Sequence, residues 1–159
     1  MNKALIAILS AAVIGAAKKA TSSGSFISEH EREKISRIKK AFKKKTLQTR
    51  LFHHEEIQKC KKTKNSFNCF AKRFAAKEAF SKALGTGIAK GINLKEIVIR
   101  NQKNGKPLIK LLNKTKKNVE KELKTKKYKI SLSLTDEDNY AVAFVTISLW
   151  KWINLFIFY

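Results

Sequence analysis

Acidic residues are scarce in this chain: 12 Asp and Glu stand against 35 Lys and Arg, a formal net charge of +23 over 159 residues. That imbalance implies an acidic partner, which could be nucleic acid, an anionic membrane, an acidic protein or a polyphosphate ligand. Cysteine is nearly missing too. Cys60 and Cys69 are the only two, so one bridge is conceivable but no disulfide framework exists, and two thiols in a reducing compartment are the plainer expectation. His53 and His54 lie close enough in sequence to raise a zinc site with both cysteines, but the spacing fits none of the paired-ligand patterns. No run interleaves basic and aromatic residues as single-stranded nucleic-acid binders do. A G-x-x-x-x-G-K-[ST] loop is absent, and the one Gly-Thr-Gly follows a helix rather than joining a strand to one. P-loop and dinucleotide-binding readings are therefore excluded. There is no internal repeat.

What is present suits one compact domain. The length allows one real core, and 43% hydrophobic residues argue against wholesale disorder. The opening "MNKALIAILSAAVIGAAKKA" carries an apolar run from Ala4 to Ala17, short of the roughly 20 residues of a membrane span. It reads either as a secretory signal or as an Ala-rich helix, and the polar linker "TSSGS" follows it. The closing "ISLWKWINLFIFY" reads as a strand extension or a subunit contact, with Trp150, Trp152, Phe156 and Phe158 as a membrane-surface anchor the other use. We therefore divide the chain into an apolar segment and linker over 1–24, a domain over 25–148, and an aromatic extension over 149–159.

Between the ends, "EHEREKISRIKKAFKKK" reads as a helix with Ile35, Ile38 and Phe42 inward and Arg37, Lys39, Lys40 and Lys43–Lys45 outward. The outward strip is either a solvated face or a docking surface for an acidic helix. A short helix over 55–62 and a long one over 67–84 follow, the latter capped by Gly85. "KEIVIRNQKNGKPLIKLL" turns at Asn104-Gly105 and reads as a β-hairpin. A basic helix follows in "NKTKKNVEKELKTKK". "YKISLSL" and "YAVAFVTISLW" then flank "TDEDN" as a second hairpin. Segregated helices and antiparallel strands give an α+β fold class.

The chemistry concentrates in "RFAAKEAFSKALGTGIAKG", residues 73–91. Glu78 and Lys82 fall within about 40° of each other on one helix face. Ala71, Ala75 and Ala79 share that sector, leaving room beside the carboxylate. On spacing alone the pair is a surface Glu-to-Lys contact worth a few tenths of a kcal/mol.

That segment resembles the signature of bacterial holo-[acyl-carrier-protein] synthases, the short trimeric branch of the 4′-phosphopantetheinyl transferases. "ISRI", "RLFHHEEI", "RNQKNGKPLI" and "ISLSLTDEDNYAVAFV" resemble further family segments in the same order, so the likeness runs from about Ile35 to Ile147. It implies a single α+β domain with a long central helix on antiparallel strands, and a homotrimer with sites shared between subunits. The implied reaction moves phosphopantetheine from coenzyme A to a serine of an acidic acyl carrier protein, with Mg²⁺, in fatty acid biosynthesis. Its substrates pull the location toward the cytoplasm. By the same resemblance Glu78 is a metal ligand and catalytic residue, and Lys82 contacts the phosphates. Arg73, Gly85, Thr86, Gly87, Gly105, Lys106 and Pro107 line the coenzyme pocket, while Arg37, Lys40 and Lys44 dock the carrier protein. A basic face then requires no nucleic acid.

Two positions depart from the family pattern. Six residues before Arg37, where the family places a metal-binding Asp at a strand end, stands Glu31, with no glycine and no evident strand before it. It is either the second metal ligand or an ordinary solvated acid. Leu134 stands where the family has a histidine, and leucine can neither donate a hydrogen bond nor carry a proton. A poorly active homologue that only binds carrier protein, and a cationic binder of nucleic acid or membrane, therefore remain as alternatives.

Overall fold

The computed structural model describes residues 26–88, 91–137 and 139–149. The 1–24 segment and the aromatic run from Trp150 on fall outside the described residues. The first described element is strand β1 (Phe26–Lys34), followed by four helices: α1 (Ile35–Ala41), α2 (Lys45–Leu51), α3 (His54–Lys61) and α4 (Ser66–Ala83). A 3-10 turn over Leu94–Glu96 leads into the hairpin of β2 (Ile97–Asn101) and β3 (Pro107–Leu111). Helix α5 (Asn113–Leu123) and the hairpin of β4 (Tyr128–Glu137) and β5 (Tyr140–Leu149) complete the order. Both sheets are antiparallel: three strands in the order β1-β5-β4, and the two-stranded β2-β3. The α+β reading of the sequence is thus the observed architecture.

Helix α4 organises the core and packs across β1 and β5. It is buried nearly all round, with Cys69, Phe70, Ala71 and the run from Arg73 to Ser81 inside. A helix without a polar face belongs at the centre of a domain. Its start is capped by the Asn65 side chain, which accepts from the Asn68 amide at 3.1 Å. Its end is closed by Gly85 at φ +77°, a conformation that favours glycine, with the Gly85 amide donating to Lys82 O at 2.8 Å. Phe42, Phe52, Phe70 and Phe74 form an aromatic cluster against it, with Phe42 edge-on to Phe52 at 5.3 Å and to Phe70 at 5.8 Å.

Three expectations are corrected. Residues 29–34 are strand, not helix: β1 pairs with β5 along its whole length, from Phe26 opposite Ser148 to Lys34 opposite Tyr140. Its pattern of charged residues hid it because β1 is an edge strand, where charge is how sheets avoid pairing with further chains. The basic stretch after Ala41 is broken into a second helix, α2, which buries only Leu51 among its residues. The cysteines are not free thiols. Cys60 near the end of α3 and Cys69 in the first turns of α4 come to 5.4 Å between Cα atoms and are joined by a disulfide, a pairing set by the tight turn between the two helices.

Candidate active site

Successive functional residues of α4 face different ways, because five residues of helix turn through about 140° net. Lys77 points inward. It is fully buried, and its Nζ donates to Glu56 Oε2 at 2.7 Å, Leu94 O at 2.8 Å and Leu51 O at 3.1 Å. Glu56, 1% exposed, also accepts from the amides of His53 at 2.9 Å and Ile99 at 3.1 Å. This hub ties α3, α4, the loop after α2 and strand β2 together. Its signal in the sequence was a lysine set among alanines and phenylalanines, together with a glutamate three residues after the chain enters α3.

Burial lowers the Lys77 pKa to about 8, against the opposing pull of Glu56. The sign follows directly. Between about pH 8 and the ordinary lysine value of 10.5, the unfolded chain holds a proton that the folded chain has lost, so stability rises with pH there. Tyr128, raised by burial and by Glu120, acts oppositely above its ordinary value. We therefore expect the urea midpoint to be higher at pH 9.5 than at pH 8, and this rise to shrink in Lys77→Met.

Arg73 opens on another side. It is 5% exposed, and its Nη1 donates to Cys69 O at 3.2 Å and lies 2.9 Å from Cys69 Sγ. Its Nε is buried with no partner among the described residues. Desolvation lowers its pKa while Glu56 raises it, and a guanidinium stays charged at neutral pH. Arg73 lines a groove of about 530 Å³ together with Lys59, Thr63, Asn65, Asn68, Cys69, Lys72, Asn101, Gly105, Pro107, Leu134 and Asp136. Lys72 Nζ meets Asp136 Oδ1 at 2.7 Å, and Asn68 Nδ2 donates to Asp136 Oδ2 at 2.9 Å. Those bonds from Lys72 and Asn68 lower the Asp136 pKa, so it is a carboxylate at neutral pH. The groove lining thus combines the cations Lys59, Lys72 and Arg73 with hydrogen-bonding Asn and Thr side chains, which suits an anionic, polar ligand. Sequence reading found Arg73, Gly105, Pro107 and Leu134. It missed Lys72, Asn68 and Asp136, whose meeting depends on β4 crossing α4.

Gly105, at φ +85°, closes the β2-β3 turn, where Gln102 N donates to Lys106 O at 2.8 Å and Asn101 Nδ2 to Gly105 O at 2.9 Å. Lys106 is exposed and is not among the residues lining the groove. Glu78, Lys82 and the Gly85–Gly87 turn are also not among them. Gly87 N donates to Ser81 O at 3.1 Å, and Thr86 Oγ1 donates to Gly87 O at 3.1 Å, so the turn folds back over the end of α4.

Glu78 is 3% exposed, whereas Lys82 one turn on is half-buried. Neither projects into open solvent as a surface ion pair would. Register places Glu31 opposite Ala143, on the strand that α4 packs across; Glu29 and Glu33 stand at equivalent positions opposite Val145 and Ala141. All three partners on β5 are buried. A divalent cation such as Mg²⁺ takes oxygen ligands, and the buried Glu78 carboxylate fits that chemistry.

The histidines form a different group. His53, His54 and Glu55 bring their ligand atoms within 4.8 Å, but Glu55 is held by Arg100 at 2.6 Å. The disulfide removes both cysteines, so the four-residue zinc set is not assembled. On α1 and after it, Lys39, Lys40, Lys43, Lys44 and Lys45 are exposed and Arg37 is half-buried. Among the described residues no helix is long and apolar enough to cross a membrane.

Comparison with known proteins identifies the family. Residues 25–145 fit the model of the 4′-phosphopantetheinyl transferase superfamily, and the chain belongs to that family. It is 43% identical over 111 residues to a holo-[acyl-carrier-protein] synthase of Pelagibacter ubique, covering 70% of this chain and 87% of the relative. Among solved structures it is similar to the holo-[acyl-carrier-protein] synthase of Neisseria meningitidis, with a TM-score of 0.68, 30% identity, and 76% and 95% of the two chains covered. The Helicobacter pylori synthase, solved in complex with coenzyme A, gives a TM-score of 0.64 at 28% identity, covering 76% and 98%.

Proposed function

We propose that this protein transfers 4′-phosphopantetheine from coenzyme A to a serine of an apo-acyl carrier protein, releasing 3′,5′-ADP. Family membership and the coenzyme-bound relative support the reaction class. The observation that carries the site is Glu78, a carboxylate kept almost wholly from water one helical turn from the Lys82 ammonium.

In this reading the serine hydroxyl oxygen forms a bond to the phosphorus that bears the pantetheine arm, the bond to the bridging oxygen breaks to release 3′,5′-ADP, and the serine proton passes to solvent. Lys82 holds the phosphate oxygens and stabilises the charge that shifts to the leaving group. Arg73, whose Nε has no partner among the described residues, and the turns at Gly85–Gly87 and Gly105–Pro107 receive the nucleotide end. Glu78, with Glu31 or a register-equivalent glutamate of β1, would hold Mg²⁺, which when bound neutralises and orients the diphosphate. Arg37, Lys40 and Lys44 dock the acidic carrier protein by charge complementarity.

Arg73 and Glu78 leave α4 in different sectors, which suits a homotrimer in which one subunit's nucleotide groove completes the next subunit's metal face. The domain of 25–148 carries all of these groups. A cytoplasmic location and a role in fatty acid biosynthesis follow from the substrates.

Leu134 in the groove wall favours a second reading, a poorly active homologue that keeps carrier-protein binding. Restoring the side chain tests it. Leu134→His is expected to raise kcat about tenfold or more, within the range of general acid-base contributions, and an unchanged kcat places the proton carrier elsewhere. The reaction itself is tested by incubating the protein with coenzyme A, Mg²⁺ and apo-acyl carrier protein. A pantetheine-sized mass gain on the carrier supports the proposal. Carrier binding without mass gain supports the second reading, and binding to neither substrate leaves only a cationic binder of nucleic acid or membrane.

A further inference from the structure

We infer that the Cys60–Cys69 disulfide is a redox switch on the groove's affinity for the coenzyme. The inference rests on the coenzyme reading of that groove. The bridge joins positions nine residues apart and closes the segment between α3 and α4. That segment carries Thr63 and Asn65 to the groove, Asn68 joins them from the first turn of α4, and Cys69 itself lines it. Arg73 Nη1 lies 2.9 Å from Cys69 Sγ and is held by the Cys69 carbonyl as well. The bridge therefore sets both the loop wall of the groove and the resting position of its buried cation.

While the bridge is intact neither sulfur carries charge, and the Arg73 guanidinium keeps its full positive charge for a ligand phosphate. A dithiol reductant opens it by exchange: two electrons and two protons pass to Cys60 and Cys69, and the reductant's own sulfurs close into a disulfide. Two consequences follow, and both weaken anion binding. The Cys69 thiol then faces a guanidinium, which favours its thiolate, and that thiolate competes with a phosphate for Arg73. The connector over 62–65 also loses the cross-link between the helices that flank it, so ordering it around a ligand costs conformational entropy. Disulfides in reducing compartments are mostly transient and redox-sensing, which agrees with a bridge placed in a ligand groove.

The test is a calorimetric titration of the full chain with coenzyme A in two states: oxidised, with no labelled thiol, and reduced, with both cysteines labelled in a parallel aliquot. Reduction is expected to raise Kd roughly tenfold, the scale of one lost charged hydrogen bond. Cys60→Ser, which cannot form the bridge, should bind as weakly as the reduced protein and ignore the reductant. Equal Kd values in the two states would overturn the switch while leaving the coenzyme groove standing. Two free thiols that resist oxidation would overturn it as well. No binding in either state would remove the coenzyme reading, and the switch with it.

Discussion

Glu78→Gln is expected to abolish transfer, by about three orders of magnitude in kcat/KM or more, while the protein stays folded. Glutamine keeps the side chain's volume and one carbonyl oxygen in a pocket that leaves residue 78 only 3% exposed, so packing is preserved. What it loses is the negative charge, and a carboxylate that anchors a divalent cation against a diphosphate supplies several kcal/mol of transition-state stabilisation. The two readings of residue 78 separate cleanly. If Glu78 serves only Lys82 as a helix pair, Glu78→Gln costs a few tenths of a kcal/mol in stability and leaves the rate alone. Steady-state transfer assays beside thermal melts decide between them.

Lys77→Met has the largest expected effect on stability, a loss of about 3–5 kcal/mol. Met fits the hydrocarbon stem of the lysine, so the cost arises from what is left behind. Glu56 stays 1% exposed without the ammonium 2.7 Å away, and the carbonyls of Leu51 and Leu94 lose their donor. A loss of that size lowers Tm by about 10 °C or more for a domain of this length. The double variant Glu56→Gln/Lys77→Met should recover much of it. Glutamine removes the stranded charge and still offers one oxygen to the Ile99 amide. Equal melting points for the single and double variants would show that packing, not charge, is what Lys77 contributes. Denaturation melts of all three proteins give the answer.

Lys77 and Glu78 are neighbours in sequence with opposite duties, and this marks how far the sequence could be read. Long-period features were legible. Helix α4 showed itself by its run of small and aromatic residues ahead of a Gly stop, and the β2-β3 hairpin by its Asn-Gly turn. Glu78 and Lys82 were found through their helical spacing and through likeness to a family. Strand β1 was not legible, since an edge strand rich in Glu, Lys and Arg has the composition of a solvated helix. Its role emerges only from its register with β5. Lys77 was passed over because helical spacing shows which residues share a face but not which face meets Glu56, more than twenty positions earlier. Asp136 was passed over for the same reason: its partners Lys72 and Asn68 lie on another element. The disulfide was set aside on compartment, an argument about surroundings that cannot outweigh two buried cysteines brought together by one turn.

The central claim is that the Glu78 carboxylate and the Lys82 ammonium meet the same bound diphosphate. Phosphorus NMR of coenzyme A bound to the protein, with Mn²⁺ in place of Mg²⁺, tests it most directly, because the paramagnetic ion shortens the relaxation of nearby phosphorus nuclei. The account predicts strong broadening of both diphosphate signals, weaker broadening of the 3′-phosphate, and loss of the effect in Glu78→Gln with coenzyme still bound. Equal broadening in Glu78→Gln and the unaltered protein would contradict it.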